Sequence, residues 1–296
     1  MNPYENIHAG CFYYFPAKNE GENVRNTLDS LFSSHSNEKY DIIIVDDGSS
    51  DGCCDFLTHY SKRHKVKLIR TKGIGAANAR NLGAKHAKGQ YFVFCDAHLF
   101  FKNMWIDKLI APLKAGKTDA ICPAIADSNN PVSIGYGQTL KPNLIVDWNK
   151  KSLSMSDTAV LPGGCLMIPK KVFHDIDGFE TGFKTWGYED IELSIKLWLF
   201  GYRCSVLPNV KVLHLFRKSH PYPLSNDHIY YNLMRMAYSH FNQNRINKCK
   251  KLIKDEDPLK VEKVVLQEGV LNQRKAYLKR RKYDDNWYFK TFNIPF

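Results

Sequence analysis

The segment YFVFCDAHLFF, residues 91–101, places a carboxylate and an imidazole one residue apart at the end of an apolar run. Residues i and i+2 of a strand point the same way, so Asp96 and His98 could face one metal ion. Carboxylate oxygen and imidazole nitrogen together suit Mn²⁺ or another first-row divalent ion better than Ca²⁺. Taken alone, the triplet is more simply interpreted as a turn cap with a packed histidine. The metal interpretation therefore depends on its neighbours.

A second polar cluster follows the apolar segment YDIIIV. Asp46-Asp47-Gly48-Ser49 is a good turn and helix cap, and a carboxylate here could also accept a hydrogen bond from the N3 imide of uracil. Further on, GIGAANARNLGA places Arg80 on a helix below the same edge, where it could meet a base or a phosphate. The glycines do not form the dinucleotide pattern GxGxxG, so by themselves they are a weak signal.

The elements that must position these residues alternate along the first half of the chain. Near-continuous apolar strands separated by amphipathic stretches predict a mostly parallel sheet with helices on both faces. Ligands of such sheets bind outside the carboxyl ends of the strands, where the polar residues stand. The predicted strands are 11–15, 40–45, 66–70 and 90–95, and the predicted helices are 21–35, 52–64 and 75–88.

The second half is less regular. Residues 126–160 form a long polar connection, which is typical of a functional loop. Behind it come an apolar run that starts at Gly163-Gly164, a loop rich in glycine and aromatic residues at 177–188, and a predicted helix at 189–200. A predicted strand ends near VKVLHLF. The tail from about 226 is predicted to be helical, with a break at Pro258.

Composition limits the class of protein. The 296 residues are 44% hydrophobic, which is enough for a large core. No apolar run approaches the ~18 residues of a membrane span, and MNPYENIHAG lacks a secretory pattern. The eight cysteines form no CxxC pair. We therefore expect a soluble cytoplasmic protein with reduced thiols.

Charge is distributed unevenly. The net charge is +12, and residues 226–296 carry 15 basic and 8 acidic side chains. Such a surface is expected either to be a solvated helical face or to meet an anionic polymer or an acidic membrane surface peripherally. Nucleic-acid binding is the least supported partner, because aromatic residues are only sparsely interleaved.

The order of the motifs PxxNE, strand-DDGS, GxxxARNxG, strand-DxH, GG, WGxED and HxFR resembles the nucleotide-sugar glycosyltransferases of the GT-A fold. The first half is similar to the large inverting family-two group. The DAH triplet, LPGGCLMIPKKVFHDIDGFETGFKTWGYED, HLFRK and YNLMRMA also resemble the polypeptide N-acetylgalactosaminyltransferases, in which a DxH motif and a later histidine bind Mn²⁺. The likeness spans residues 11 to about 240.

The resemblance implies a GT-A (Rossmann-like) α/β fold with a mostly parallel sheet and a helical C-terminal extension. It implies a catalytic domain at 1–225, with a nucleotide-binding half at about 1–125 and an acceptor half at about 126–225, followed by a basic extension at 226–296. The implied ligands of Mn²⁺ or Mg²⁺ are Asp96, His98 and His214. The implied nucleotide-sugar site comprises Pro16, Ala17, Asn19, Glu20, Asp46, Asp47, Arg80, Asp96, Gly163, Gly164, Trp186 and Arg217.

The implied reaction moves a hexosyl or N-acetylhexosaminyl group from a UDP-sugar to a hydroxyl of a glycan, polymer or peptide. A divalent ion would stabilise the diphosphate that leaves, and a carboxylate would take the acceptor proton. Asp190 is the expected base and Glu189 its neighbour, although both also favour the dipole of the helix they open. WGYED stands where the acetylgalactosaminyltransferases usually have WGGEN, which favours inversion. The alternatives are a retaining enzyme and a non-catalytic binding module.

Overall fold

A computed structural model describes residues 11–296. The opening decapeptide, on which the expectation of no secretory pattern rests, lies outside the described residues. Within residues 11–296, no helix combines the length and the apolarity needed to cross a membrane. All eight cysteines lie in this part of the chain as buried free thiols.

The strands and helices alternate as the apolar pattern predicts. The strands are β1 (Cys11–Ala17), β2 (Tyr40–Asp46), β3 (Val66–Arg70), β4 (Tyr91–Cys95), β5 (Leu99–Phe100), β6 (Ala120–Asp127), β7 (Ile134–Gly135), β8 (Gln138–Leu140), β9 (Val146–Trp148), β10 (Ser156–Asp157), β11 (Cys165–Pro169) and β12 (Cys204–His214). The helices are α1 (Asn23–Ser33), α2 (Ala76–His86), α3 (Trp105–Lys114), α4 (Lys170–Asp175), α5 (Glu189–Phe200), α6 (Asn226–His240), α7 (Gln243–Leu252), α8 (Pro258–Gln267), α9 (Val270–Arg280) and α10 (Asp285–Thr291).

One large sheet has the strand order β10-β12-β6-β11-β4-β1-β2-β3, with β5 paired to β12 and β7 to β6. Strands β1 to β4 are parallel, as predicted, and β12 is parallel to β6. Strand β11 runs antiparallel to both β4 and β6. Because β11 is reversed, it starts at the edge where β4 ends, and the Asp96 amide donates to the Gly164 carbonyl at 3.0 Å.

The sheet is buried on both faces. Successive residues of β1 point to opposite sides, so Tyr13 packs in a cluster with Trp105 while Tyr14 packs in a second cluster with Leu197. Burial on both faces explains why CFYYF is apolar throughout rather than alternating. The second cluster also includes residues of the tail, among them Phe241 and Tyr288.

The tail is helical from 226, and the break falls at Pro258, which opens α8. The side chain of Asp257 caps that helix by accepting from the Leu259 amide at 2.9 Å. The Tyr288 hydroxyl donates to the Ala159 carbonyl at 3.0 Å, joining α10 to the loop before β11. The division of the chain at residue 225 stays a prediction.

The predicted helix at 52–64 is wrong. Two short 3₁₀ turns, Asp55–His59 and Arg63–Lys65, occupy this segment. The buried residues Cys54, Leu57 and Tyr60 recur every third position, which matches the three residues per turn of a 3₁₀ helix rather than the 3.6 of an α-helix.

Candidate active site

Three potential metal ligands converge at the carboxyl edge of the sheet. Asp96 and His98 follow β4, and His214 ends β12, where it pairs with Leu99 of β5. Asp96 Oδ2 lies 3.3 Å from His214 Nε2 and 3.8 Å from His98 Nε2. One donor atom from each residue lies within 4.8 Å of the other two, which is close enough for all three to bind one ion.

The surroundings fit a metal ion. His214 Nδ1 is buried without a hydrogen-bond partner among the described residues. A Cβ added at Gly164 would lie 3.1 Å from the His214 ring and 3.5 Å from Asp96 Oδ2, so only glycine leaves this approach open. His98 Nδ1 lies 3.2 Å from Glu20 Oε2, an outer carboxylate of the kind that orients a ligating imidazole.

Cationic side chains border the same cluster. Arg80 Nη2 lies 3.3 Å from Asp96 Oδ1, and Arg217 contacts both Glu20 and His98. Burial alone would raise the pKa of Asp96, but the hydrogen bond to His214 and the charges of His98 and Arg80 hold that pKa well below its usual range. The carboxylate is therefore ionised and available as a ligand.

A cavity of about 380 Å³ opens beside the cluster, and its lining includes residues predicted to bind the nucleotide-sugar donor. We call it the donor cavity. Lys18 and Thr185, which were not predicted, contribute to its wall, and Lys18 lies over the ring of Tyr222 at 5.4 Å. The predicted residues that line it are Pro16, Ala17, Glu20, Asp47, Arg80, Asp96, His98, Trp186, His214 and Arg217.

Three predicted nucleotide residues have local partners. Asp47 accepts hydrogen bonds from Thr71 Oγ1 at 2.5 Å and from the amides of Ile74 and Gly75 at 2.6 and 2.9 Å. Asp46 and Asn19 lie outside the cavity lining. Asp46 accepts from the Ser49 amide, and Asn19 accepts from the Ser50 amide. Their direct contact with a nucleotide stays a prediction.

A second cavity, also of about 380 Å³, adjoins the first. We call it the acceptor cavity. It shares Arg80, Asp96, Trp186, His214 and Phe216 with the donor cavity and adds Gly163, Gly164, Glu189 and Asp190. A Cβ at Gly163 would lie 3.3 Å from Asp190 Oδ2, while one at Gly164 would meet the metal cluster. Gly163 and Gly164 are consecutive, and consecutive Cα atoms are only about 3.8 Å apart. Asp190 and the metal cluster therefore border neighbouring residues of the chain.

The two acids at the start of α5 differ in their surroundings. Asp190 accepts from the Gly163 amide at 3.1 Å and from the Ile191 amide at 2.9 Å. Burial raises the pKa of Asp190 despite these bonds and the Arg80 charge. Glu189 is 6% exposed and accepts from the Gly187 amide at 2.9 Å. Burial, with the nearby charge of Asp190, raises the pKa of Glu189 to about 7 against the opposing charge of Arg80.

An apolar wall completes the acceptor cavity. It comes from the β8–β9 hairpin and includes Leu144, Ile145, Val146 and Trp148. The sequence indicated a functional loop at 126–160, but among the aromatic residues that could stack on a sugar it favoured Trp186 and not Trp148. The glycine at position 135 lets the Trp148 ring lie directly on the backbone, because a Cβ there would overlap the ring.

Comparison with known proteins agrees with this architecture. The family model "Glycosyl transferase family 2" matches residues 14–177, and "N-terminal domain of galactosyltransferase" matches residues 151–221. Polypeptide N-acetylgalactosaminyltransferase 11 of Xenopus tropicalis is 31% identical over 221 residues, covering 67% of this chain and 37% of that protein. Probable N-acetylgalactosaminyltransferase 8 of Caenorhabditis elegans is 27% identical over 228 residues, covering 67% and 52%.

Solved structures share the fold. GalNAc-T7, solved with UDP, GalNAc and Mn²⁺, superposes with a TM-score of 0.74 at 19% identity, covering 98% of this chain and 57% of that one. The Pyrobaculum calidifontis mannosyltransferase PcManGT, solved with GDP-Man and Mn²⁺, gives a TM-score of 0.56 at 16% identity, covering 93% and 75%.

The fold is thus the GT-A fold of nucleotide-sugar transferases, extended by C-terminal helices. Since the family model matches more than half of the residues of this chain, the chain belongs to glycosyl transferase family 2. It spans about a third to a half of the length of these two curated relatives.

Proposed function

We propose that the protein is a glycosyltransferase that uses a UDP-sugar and a divalent ion, Mn²⁺ or Mg²⁺. The observation that carries the proposal is the triangle of Asp96, His98 and His214 on the wall of a cavity at the carboxyl edge of the sheet. The names of the relatives, and the UDP and Mn²⁺ of GalNAc-T7, support the same interpretation.

Asp96, His98 and His214 would hold the ion, which when bound would neutralise charge that develops on the departing diphosphate. Arg80 and Arg217 add fixed positive charge on the same wall. Trp186 lies between the two cavities and is 36% exposed, so its ring can stack against a sugar.

We assign Asp190 as the general base for an inverting transfer. The acceptor O–H bond breaks and its proton moves to Asp190, while the acceptor oxygen bonds to the sugar C1 and the bond from C1 to the phosphate oxygen breaks, releasing UDP. Each Asp190 oxygen has one backbone donor and keeps a second lone pair for the acceptor hydroxyl. Glu189 is only 6% exposed and its Oε1 accepts from the Gly187 amide, so it is less accessible to an acceptor hydroxyl than the half-buried Asp190.

A retaining N-acetylgalactosaminyltransferase is the second candidate, and the names of the relatives favour it. The anomeric configuration of the product, followed by NMR immediately after mixing, separates the two mechanisms. The acceptor is a glycan, polymer or peptide hydroxyl, and Tyr188 at the cavity wall distinguishes this chain from the WGGEN pattern. The cytoplasmic location and the anionic partner of the tail stay predictions.

The experiment is calorimetry of UDP binding with and without Mn²⁺, on the parent protein and on Asp96→Asn. We expect metal-dependent binding in the parent. Removal of a direct ligand should cost more than the roughly 10- to 100-fold that loss of an orienting partner costs. Asp127→Asn is the matched control, because Asp127 ends the neighbouring strand β6 outside the cluster. Equal UDP binding without metal, or equal binding by Asp96→Asn, would contradict the proposal.

A further inference from the structure

The loop of residues 180–188 brings Trp186 to the boundary of the two cavities and ends directly before Glu189 and Asp190. Its last two residues have left-handed backbone, with φ of +110° at Gly187 and +69° at Tyr188. Such conformations are unfavourable for a residue like tyrosine and persist where the surroundings determine them. The loop therefore needs contacts that hold it in place.

Asn232 of α6 supplies the most extensive of these contacts. The side chain is fully buried. Its Oδ1 accepts from the Lys184 amide at 2.7 Å, and its Nδ2 lies 3.0 Å from the carbonyl oxygens of Lys184 and Gly187 and 3.3 Å from that of Trp186. One side-chain amide thus binds the backbone of three loop residues.

A second contact fixes the start of the loop. Arg235 Nε donates to Glu180 Oε1 at 2.8 Å, and the same oxygen accepts from the Gly182 amide at 2.9 Å. A Cβ at Gly182 would overlap the Arg235 guanidinium, so the guanidinium packs directly on that glycine. Gln273 of α9 also contacts Glu180, which is fully buried.

A third contact links α6 to the donor side. His228 Nδ1 lies 2.7 Å from Thr185 Oγ1, and the Thr185 carbonyl accepts from the Ala76 amide at 2.8 Å. His228, Asn232 and Arg235 are spaced i, i+4 and i+7, so they form one stripe along α6 that faces the loop.

We propose that α6 is a positioning element of the active site and that Asn232 is a positioning residue for the transfer reaction. Its amide holds Lys184–Gly187 so that Trp186 and the two carboxylates of α5 face the acceptor. This role rests on the proposed function. An amide is required because the site presents one N–H to be accepted and carbonyl oxygens to which the two N–H groups of Nδ2 donate, with the shorter contacts to Lys184 and Gly187. A carboxylate of the same shape has no such donor.

The test is the near-isosteric variant Asn232→Asp, compared with Met236→Ala. Met236 is fully buried on the same helix outside both cavities, so its truncation destabilises α6 without removing a loop hydrogen bond. We expect Asn232→Asp to lower kcat roughly 10- to 100-fold, because misplacement by about 1 Å has this effect. The Kd for UDP with Mn²⁺ should stay within about two-fold of the parent, because the metal ligands Asp96, His98 and His214 stand at strand ends and not in this loop. Met236→Ala should lower Tm and leave kcat nearly unchanged below its transition.

Limited trypsin digestion gives a readout that does not depend on turnover. Asn232 binds both the amide and the carbonyl of Lys184, so Asn232→Asp should speed cleavage after Lys184. Cleavage in the exposed segment at Lys150-Lys151 should not change, and serves as the internal control. If Asn232→Asp does not fold, His228→Ala, at an exposed position, tests the same stripe through Thr185 and should give a smaller loss of kcat.

The outcomes separate the two proposals. A parent protein without metal-dependent UDP binding overturns the proposed function, and the positioning role in catalysis falls with it. A normal parent together with a fully active, equally protease-resistant Asn232→Asp overturns only the positioning role. An equal loss of kcat in Met236→Ala would do the same, since general destabilisation would then explain both variants.

Discussion

The donor and acceptor sides of the site are built in different ways. The metal ligands stand at strand ends, where backbone pairing sets Asp96 next to Gly164 and His214 opposite Leu99. The acceptor side takes residues from the 126–160 connection, the 180–188 loop and the start of α5, and both irregular segments owe their positions to contacts with distant parts of the chain. The metal cluster is therefore positioned by the sheet, while the acceptor side depends on the C-terminal helices.

The two sides also differ in electrostatics. The donor cavity adds Lys18, Arg217 and Lys218 to the Arg80 that both cavities share, as suits a diphosphate. The acceptor cavity sets Glu189 and Asp190 against an apolar wall. An anionic group is less favourable in this second environment than in the first.

Loss of the proposed base should have the largest effect on the acceptor side. Asp190→Asn removes the proton acceptor but keeps the shape, and loss of general base catalysis typically costs about 10²- to 10⁴-fold in kcat. UDP affinity should not change, because Asp190 lies outside the donor cavity. Since burial raises the pKa of Asp190, parent activity should decline on acidification at a higher pH than an exposed aspartate would give.

The measurement is steady-state UDP release at saturating UDP-sugar and acceptor, with UDP binding determined in parallel. Glu189→Gln is the matched control and should retain much more activity. A parallel loss of UDP affinity in Asp190→Asn would show that the two sides are not separable in this way.

Glu189 offers a smaller effect, on stability. Burial raises its pKa from 4.5 to about 7. The folded protein therefore holds a proton that the unfolded chain releases, and this contribution is complete below about pH 4.5 and lost as pH rises through 7. Glutamine stays neutral, so from pH 4.5 to 8 the unfolding free energy of Glu189→Gln should rise relative to the parent by about 3 kcal/mol.

Urea unfolding of the metal-free proteins across this pH range measures the difference. Glu22→Gln, at an exposed position on the surface, is the control and should follow the parent at every pH. If the unfolding free energies of the parent and of Glu189→Gln changed in parallel with pH, a protonated, buried Glu189 would be contradicted.

The same contrast decides what sequence could predict. Asp96 and His98 follow a buried strand, so apolar periodicity and the i, i+2 rule could place them side by side, although alone this pattern was more simply interpreted as a turn cap. His214 was predicted only from the family resemblance, because 118 residues separate it from Asp96.

The reversal of β11 and the 3₁₀ turns at 55–65 were not predicted, since the burial pattern carries neither strand direction nor a firm distinction among helix types. Asn232 stood in a motif, yet its partners lie 45 to 48 residues away and no local rule indicates them.

The smallest expected effect lies at the outer wall of the acceptor cavity. The Trp148 ring packs on Gly135 and meets Phe216 edge to face at 6.4 Å, with 36% of the residue exposed. Aromatic contacts of this kind contribute roughly 0.5–1.5 kcal/mol, so Trp148→Ala should raise the acceptor KM about 2- to 10-fold and leave UDP affinity unchanged. Trp287→Ala is the control, because Trp287 stacks on Tyr283 and lines neither cavity. If Trp148→Ala instead weakened UDP binding, the hairpin would belong to the donor side, and the boundary between the two sides would have to be redrawn at Phe216.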